Sequence, residues 1–144
     1  MNLFKRSIAA LVCVGMIGCG GIKIKQNAVL SAQGIESTLR TARETELSLY
    51  QSGTVKELTP ALHSQINSSL VKAFDDNILL VQALKAYRSG DPVPTSLNAL
   101  IVDVNDTMNV ALKLLPSTAT SNLVEKISAV ITATQQVVMS LGGK

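Results

Sequence analysis

The sequence predicts an all-α fold, most simply a small bundle of four antiparallel helices behind an N-terminal apolar segment. Three observations carry this prediction. Apolar residues recur at steps of three and four along four separate stretches, the period of a single helix face. Helix breakers part the stretches: Gly53, the run Gly90-Asp91-Pro92-Val93-Pro94, and Pro116. The connections between them are short, which makes helices adjacent in sequence antiparallel neighbours in space.

The first helix is expected over about 28–52. Ala28, Ala32, Ile35, Leu39, Ala42 and Leu49 fit the series, and Glu46 interrupts it. Alanines on this face let another helix approach closely. Gly34 is read either as a close helix contact or as simple tolerance. Gly53 suits a C-terminal stop. The second helix opens at Thr59, a suitable N-cap, with Pro60 in the first helical position, where a missing N–H costs nothing. Leu62, Ile66, Leu70, Ala73, Leu80, Leu84 and Tyr87 carry it to Ser89, before Gly90. The run Ile78–Val81 is apolar on all sides for one turn, which suits either a central helix or an exposed partner patch. Asn77 falls on the seam, where a buried Asn fixes register and lowers stability.

The third helix follows the Pro92/Pro94 break, because proline disfavours helix in the residue before it. Thr95 or Ser96 is the expected cap. Leu97, Ile101, Val104, Met108, Ala111 and Leu115 all keep the spacing until Pro116. In the fourth helix Asn122 and Glu125 are placed for a reciprocal cap. Leu123, Ile127, Val130, Val137 and Leu141 mark its apolar face, with Thr134 the polar exception. β-branched runs such as LIVDV and AVITAT would suit strands. The helical period sustained over about twenty residues outweighs them.

The N-terminus has a different character. Met1–Arg6 is short and basic, and Ser7–Gly18 is an apolar run of twelve residues. This is the pattern of a secretory signal. A membrane-spanning helix needs about 20 apolar residues, and Lys23 and Lys25 close off any extension. The run ends in Met16-Ile17-Gly18-Cys19, which resembles the lipobox of bacterial lipoproteins, with Met16 where Leu is preferred. The resemblance implies cleavage between Gly18 and Cys19 and a diacylglyceryl group on the Cys19 thiol. The expected organisation is a signal peptide over 1–18, a lipidated tether over 19–27 and a helical domain over 28–144. Gly20, rather than Asp, follows the cysteine, so the resemblance favours the outer membrane, with the domain facing the periplasm. The chain is also similar to the major outer-membrane lipoprotein family of enteric bacteria, which has an acylated N-terminal Cys, a heptad helix and a C-terminal Lys, but only at its two ends, Cys19 and Lys144, and in its apolar spacing. That similarity implies peptidoglycan attachment through the Lys144 amine, although Pro60, Pro92, Pro94 and Pro116 preclude the same continuous coiled coil.

Composition narrows the function. The formal charge is +3, but Lys5 and Arg6 are two of the 13 basic side chains, so loss of 1–18 leaves +1. That is no footprint for nucleic acid. After residue 18 only Tyr50, Phe74 and Tyr87 are aromatic, too few for a stacking platform. The cysteines, Cys13 and Cys19, both lie near the N-terminus, which leaves no disulfide framework further on. The lone histidine, His63, is expected to be partly exposed or hydrogen-bonded. Asp75-Asp76 and Asp103/Asp106 read as a solvated face. Neither a metal site nor a cofactor is expected, and no Ser–His–Asp arrangement, nucleophile elbow or phosphate loop is legible. The expected function is a non-enzymatic envelope lipoprotein: a structural or interaction module held on the membrane through Cys19. Its expected partners are envelope proteins or peptidoglycan. The alternative is a carrier of lipid or another apolar ligand.

Overall fold

Each helix buries one stripe whose steps alternate between four and three. The computed structural model describes residues 3–142, with side chains described from residue 25 onward. It contains α1 (Leu3–Ser52), α2 (Pro60–Ala86), α3 (Thr95–Leu114) and α4 (Ser121–Ser140). The buried stripe of α1 is Ala28, Ala32, Ile35, Leu39, Ala42 and Glu46, and that of α2 is Ile66, Leu70, Ala73, Asn77, Leu80 and Leu84. Leu97, Ile101, Val104, Met108 and Ala111 form it on α3, and Leu123, Ile127, Val130, Thr134 and Val137 on α4. A mean step of 3.5 residues favours shallow, left-handed crossing of about 20°, which keeps each stripe facing its neighbours over several turns.

The helices form a closed ring in which α1 packs on α2, α2 on α3, α3 on α4, and α4 back on α1. Neighbours run antiparallel, so this is a four-helix up-down bundle with one apolar core. The α1–α4 and α2–α3 pairs are the most extensive. Ala28, Ala32 and Ala42 on α1, Ala73 on α2 and Ala111 on α3 are small members of the buried stripes. Each buried Leu or Ile contributes about 1.5–3 kcal/mol through the area it takes from water.

Helix ends follow local chemistry, with several departures from expectation. The Thr59 cap forms as expected: its hydroxyl accepts from the Leu62 N–H at 3.3 Å, and Pro60 is the first helical residue. Gly53 closes α1 with φ of 62°, a conformation that costs a side-chain-bearing residue more. By contrast, α2 stops at Ala86 rather than Ser89. Tyr87 turns to an extended backbone, and its hydroxyl donates to the Asp91 carbonyl at 2.6 Å, tying down the following turn. Gly90, with φ of 100°, then belongs to the turn rather than to the helix end.

Two expected caps are replaced. Pro94 and Thr120 occupy the N-cap positions of α3 and α4, and neither makes a side-chain capping bond. Asn122 therefore lies inside α4, and the Asn122/Glu125 reciprocal cap does not form. The buried seam fixes the rotation of α4 and so overrides the local signal. Gly34 is exposed, with open space where its Cβ would stand, so it serves tolerance rather than close contact. The α1 backbone is helical upstream of Ala28 as well, passing through 19–27 without a break at Gly20-Gly21.

The 53–59 connection is itself packed. Val55 and Leu58 are buried and plug the end of the bundle where α1 passes to α2. Thr118, from the α3–α4 connection, donates to the Glu57 carboxylate and joins the two loops at that end.

Candidate functional site

Among the described residues the core is apolar apart from three buried polar side chains: Glu46, Asn77 and Thr134. Thr134 is satisfied within its own helix, donating to the Val130 carbonyl at 2.7 Å. Asn77 reaches across the seam, its amide donating to the Ala32 carbonyl at 2.9 Å, while its side-chain oxygen has no partner. This is the cross-helix register contact that its seam position predicts.

Glu46 is the unusual member. It stands at a core position of α1, and its side chain is 1% exposed. Burying a carboxylate is costly unless it is paired and hydrogen-bonded. Its partner is His63, in the first turn of α2. The His63 Nδ1 lies 2.8 Å from Glu46 Oε1 and 3.0 Å from Oε2, so one N–H is shared between both carboxylate oxygens. An ionised carboxylate only accepts, so against one, Nδ1 carries the donated proton and Nε2 stands outside the pair. The ring also stacks on Tyr50, with centroids 3.9 Å apart and planes within 3°. An imidazole held by a carboxylate on one edge and an aromatic face on the other has one orientation.

That orientation matters because His63 lines a surface cleft of about 510 Å³ between α1 and α2. The α1 wall carries Arg40, Arg43, Glu44 and Leu47, and the α2 wall carries His63, Asn67 and Phe74. Arg40 makes only an exposed contact with Glu36 at 3.5 Å. A second cleft, of about 720 Å³, lies at the opposite end of the bundle, lined by Lys25, Leu30 and Arg88 among others. There the Lys25 ammonium donates to the Lys85 carbonyl at 2.7 Å, closing the C-terminal turn of α2 with a cation, as the helix dipole favours.

The residues singled out from sequence fare unevenly. Gly18 and Cys19 fall on the α1 backbone, but their side chains lie outside the described residues, and Lys144 lies outside them altogether. His63 is partly buried and hydrogen-bonded, as its position suggested. Asp75, Asp103 and Asp106 are exposed, and Asp76 pairs with Lys72 at 2.6 Å. That hydrogen bond raises the Lys72 pKa above the usual lysine value; desolvation opposes the rise, and the charges of Asp76 and Asp103 add to it. Among the described residues no group of His, Cys, Asp and Glu could hold a metal ion. No helix among them is long and apolar enough to cross a membrane.

Sequence reasoning missed the Glu46–His63 pair. Its signal was present: a charged residue on a core position of one helix, and the sole histidine at the start of the next. The described residues thus define an all-α, four-helix up-down bundle with the buried Glu46 carboxyl hydrogen-bonded to His63 beside a cleft. No protein-family model, curated protein or solved structure matches the chain.

Proposed function

We propose that the chain is a lipid-anchored protein of the bacterial envelope whose four-helix bundle is a structural or protein-interaction module rather than an enzyme. The observation that carries this reading is the motif Met16-Ile17-Gly18-Cys19 at the end of a basic-then-apolar N-terminal segment. A thioether at Cys19 places acyl chains nine residues before Ala28, the first described core residue. Two or more chains suffice for stable anchoring, at about 0.8 kcal/mol per buried methylene.

The bundle supports the reading in two ways. The end from which α1 leads back toward Cys19 carries Lys25, Lys85 and Arg88 against Asp91, an excess of positive charge suited to anionic headgroups. The seam is filled by the bundle's own aliphatic side chains, which favours a packed module over an enclosing carrier. Confinement to a membrane raises the effective concentration of such a module against partners on the same surface.

Metabolic labelling with an alkyne palmitate tests the anchor. Wild-type protein should take up label and stay with membranes after alkaline washing, and Cys19→Ser should lose both properties. Label or tight retention in Cys19→Ser overturns the proposal. Crosslinking in intact cells then tests the interaction role, with a reproducible adduct to an envelope protein expected.

A further inference from the structure

We infer that the α1/α2 cleft is a binding site for a small organic oxyanion: a phosphate or carboxylate head group bearing a short apolar body. The inference does not rest on the lipid anchor. It starts from Glu46. An apolar residue at this core position would pack as well or better, since a buried carboxyl, even when paired, rarely improves on a hydrophobic isostere. What the carboxylate does achieve is to hold His63 at the cleft in one orientation, with Nδ1 occupied and the Tyr50 ring against its face. With Nδ1–H on Glu46 the neutral ring presents an acceptor at Nε2; the doubly protonated ring presents a preoriented Nε2–H donor to an oxyanion, without the entropic cost of ordering a free side chain.

The other walls suit an anion. Arg40 and Arg43 stand one turn apart on α1, and Asn67 stands one turn beyond His63 on α2. Nitrogen donors therefore approach from both sides of the seam. The two guanidiniums face the carboxylate of Glu44, with Glu36 on Arg40 and Glu46 behind His63, so it is directed donors rather than net charge that suit an anion here. The Arg40–Glu36 contact is loose, at 3.5 Å with the arginine side chain 64% exposed, so the guanidinium can turn to a ligand at little cost. Guanidinium forks match the geometry of carboxylate and phosphate oxygens. Leu47, 44% exposed, and Phe74 give the cleft apolar surface for the body of the ligand. A volume of about 510 Å³ lies within the range of small-molecule sites, roughly 300–1,000 Å³.

The test is a titration of the purified protein followed by NMR at the His63 ring and the amides of 40–47 and 63–74. Phenyl phosphate and benzoate are the probes, with inorganic phosphate and benzyl alcohol as the head-only and body-only controls. Saturable shifts at these residues with either probe support the site, and the tighter probe names the head group. Arg43→Gln should weaken binding about tenfold and Arg40→Gln/Arg43→Gln further, because each removes a charge-assisted hydrogen bond. Both arginines are exposed, so the fold should survive, and an unchanged thermal midpoint confirms it. Lys72→Gln removes a cation outside the cleft and should leave binding unchanged.

Four outcomes overturn the inference. The first is no saturable shift with either probe up to about 10 mM, beyond the millimolar range of weak sites. The second is wild-type affinity in the double arginine variant. The third is equal binding of benzyl alcohol, which removes the anionic requirement. The fourth is equal binding of inorganic phosphate, which removes the apolar one.

Discussion

Replacing His63 should cost far more than replacing Glu46, although the two residues form one pair. The reason is their unequal burial: the Glu46 side chain is 1% exposed and that of His63 is 20% exposed. His63→Phe keeps a ring to stack on Tyr50 and deletes only the Nδ1–H donor. The carboxylate is then stranded in the core, where breaking a buried pair costs about 3–5 kcal/mol. The pair lies at the edge of the core, so the lower figure, about 3 kcal/mol, is expected. Glu46→Met removes the charge and fills the space with a flexible apolar chain. The imidazole left behind reaches water along its exposed edge, and the expected loss is about 1 kcal/mol. The double variant should fall within about 1 kcal/mol of wild type, because no buried charge remains. Urea unfolding at constant m-value measures all three. With m of about 2 kcal/mol/M, the His63→Phe midpoint should fall by roughly 1.5 M. Equal losses in the two single variants would refute the reasoning, as would a His63→Phe loss below about 1 kcal/mol.

Three further outcomes test the register, the caps and the surface charges. Leu80 is fully buried whereas adjacent Leu79 is 51% exposed, so Leu80→Ala should cost about 2–5 kcal/mol in chemical unfolding, and Leu79→Ala under about 0.5 kcal/mol. Thr59→Ala removes the cap of α2 and should lower stability by about 1 kcal/mol, with increased amide exchange at Leu62 as the local readout. Lys72→Met should lose a few tenths of a kcal/mol at neutral pH, the usual contribution of an exposed i,i+4 pair. Because the folded pKa of Lys72 is raised, that difference is fully present below its unfolded value near 10.5 and disappears as pH rises through the folded value above it. Unfolding midpoints of the two proteins compared from neutral to strongly alkaline pH check the sign.

Much of the architecture is legible from spacing alone. The alternation of four- and three-residue steps on every helix is a one-dimensional property, and it selects the buried face before any partner is known. Leu97 through Ala111 on α3 and Leu123 through Val137 on α4 are buried on this basis, Thr134 included. The all-round apolar turn Ile78–Val81 resolves in the same way, with Leu80 and Val81 inward and Leu79 outward. The caps were less legible. Ser, Thr and Asn are plentiful near each helix start, so local chemistry offers several equivalent caps, and the packed seam chooses among them. Pro94 and Thr120 occupy those positions without a side-chain bond because the rotation of α3 and α4 is already set by their cores.

The sequence by itself determined the helical period, the breaks at Gly53, Gly90–Pro94 and Pro116, and the motif around Cys19, because each depends on neighbours a few residues away. Only the tertiary structure decided the meaning of Glu46. On α1 alone it is an interruption in an apolar stripe. Its partner lies 17 residues on, across a connection that reverses the chain, and the antiparallel register of α1 and α2 brings the carboxylate to within 2.8 Å of His63 Nδ1. The arginines of one helix and the imidazole of the next likewise become one cleft only when that register is set. Side-chain pairs across a seam depend on helix rotation and offset, which are fixed by the whole core at once and by no single segment of the chain.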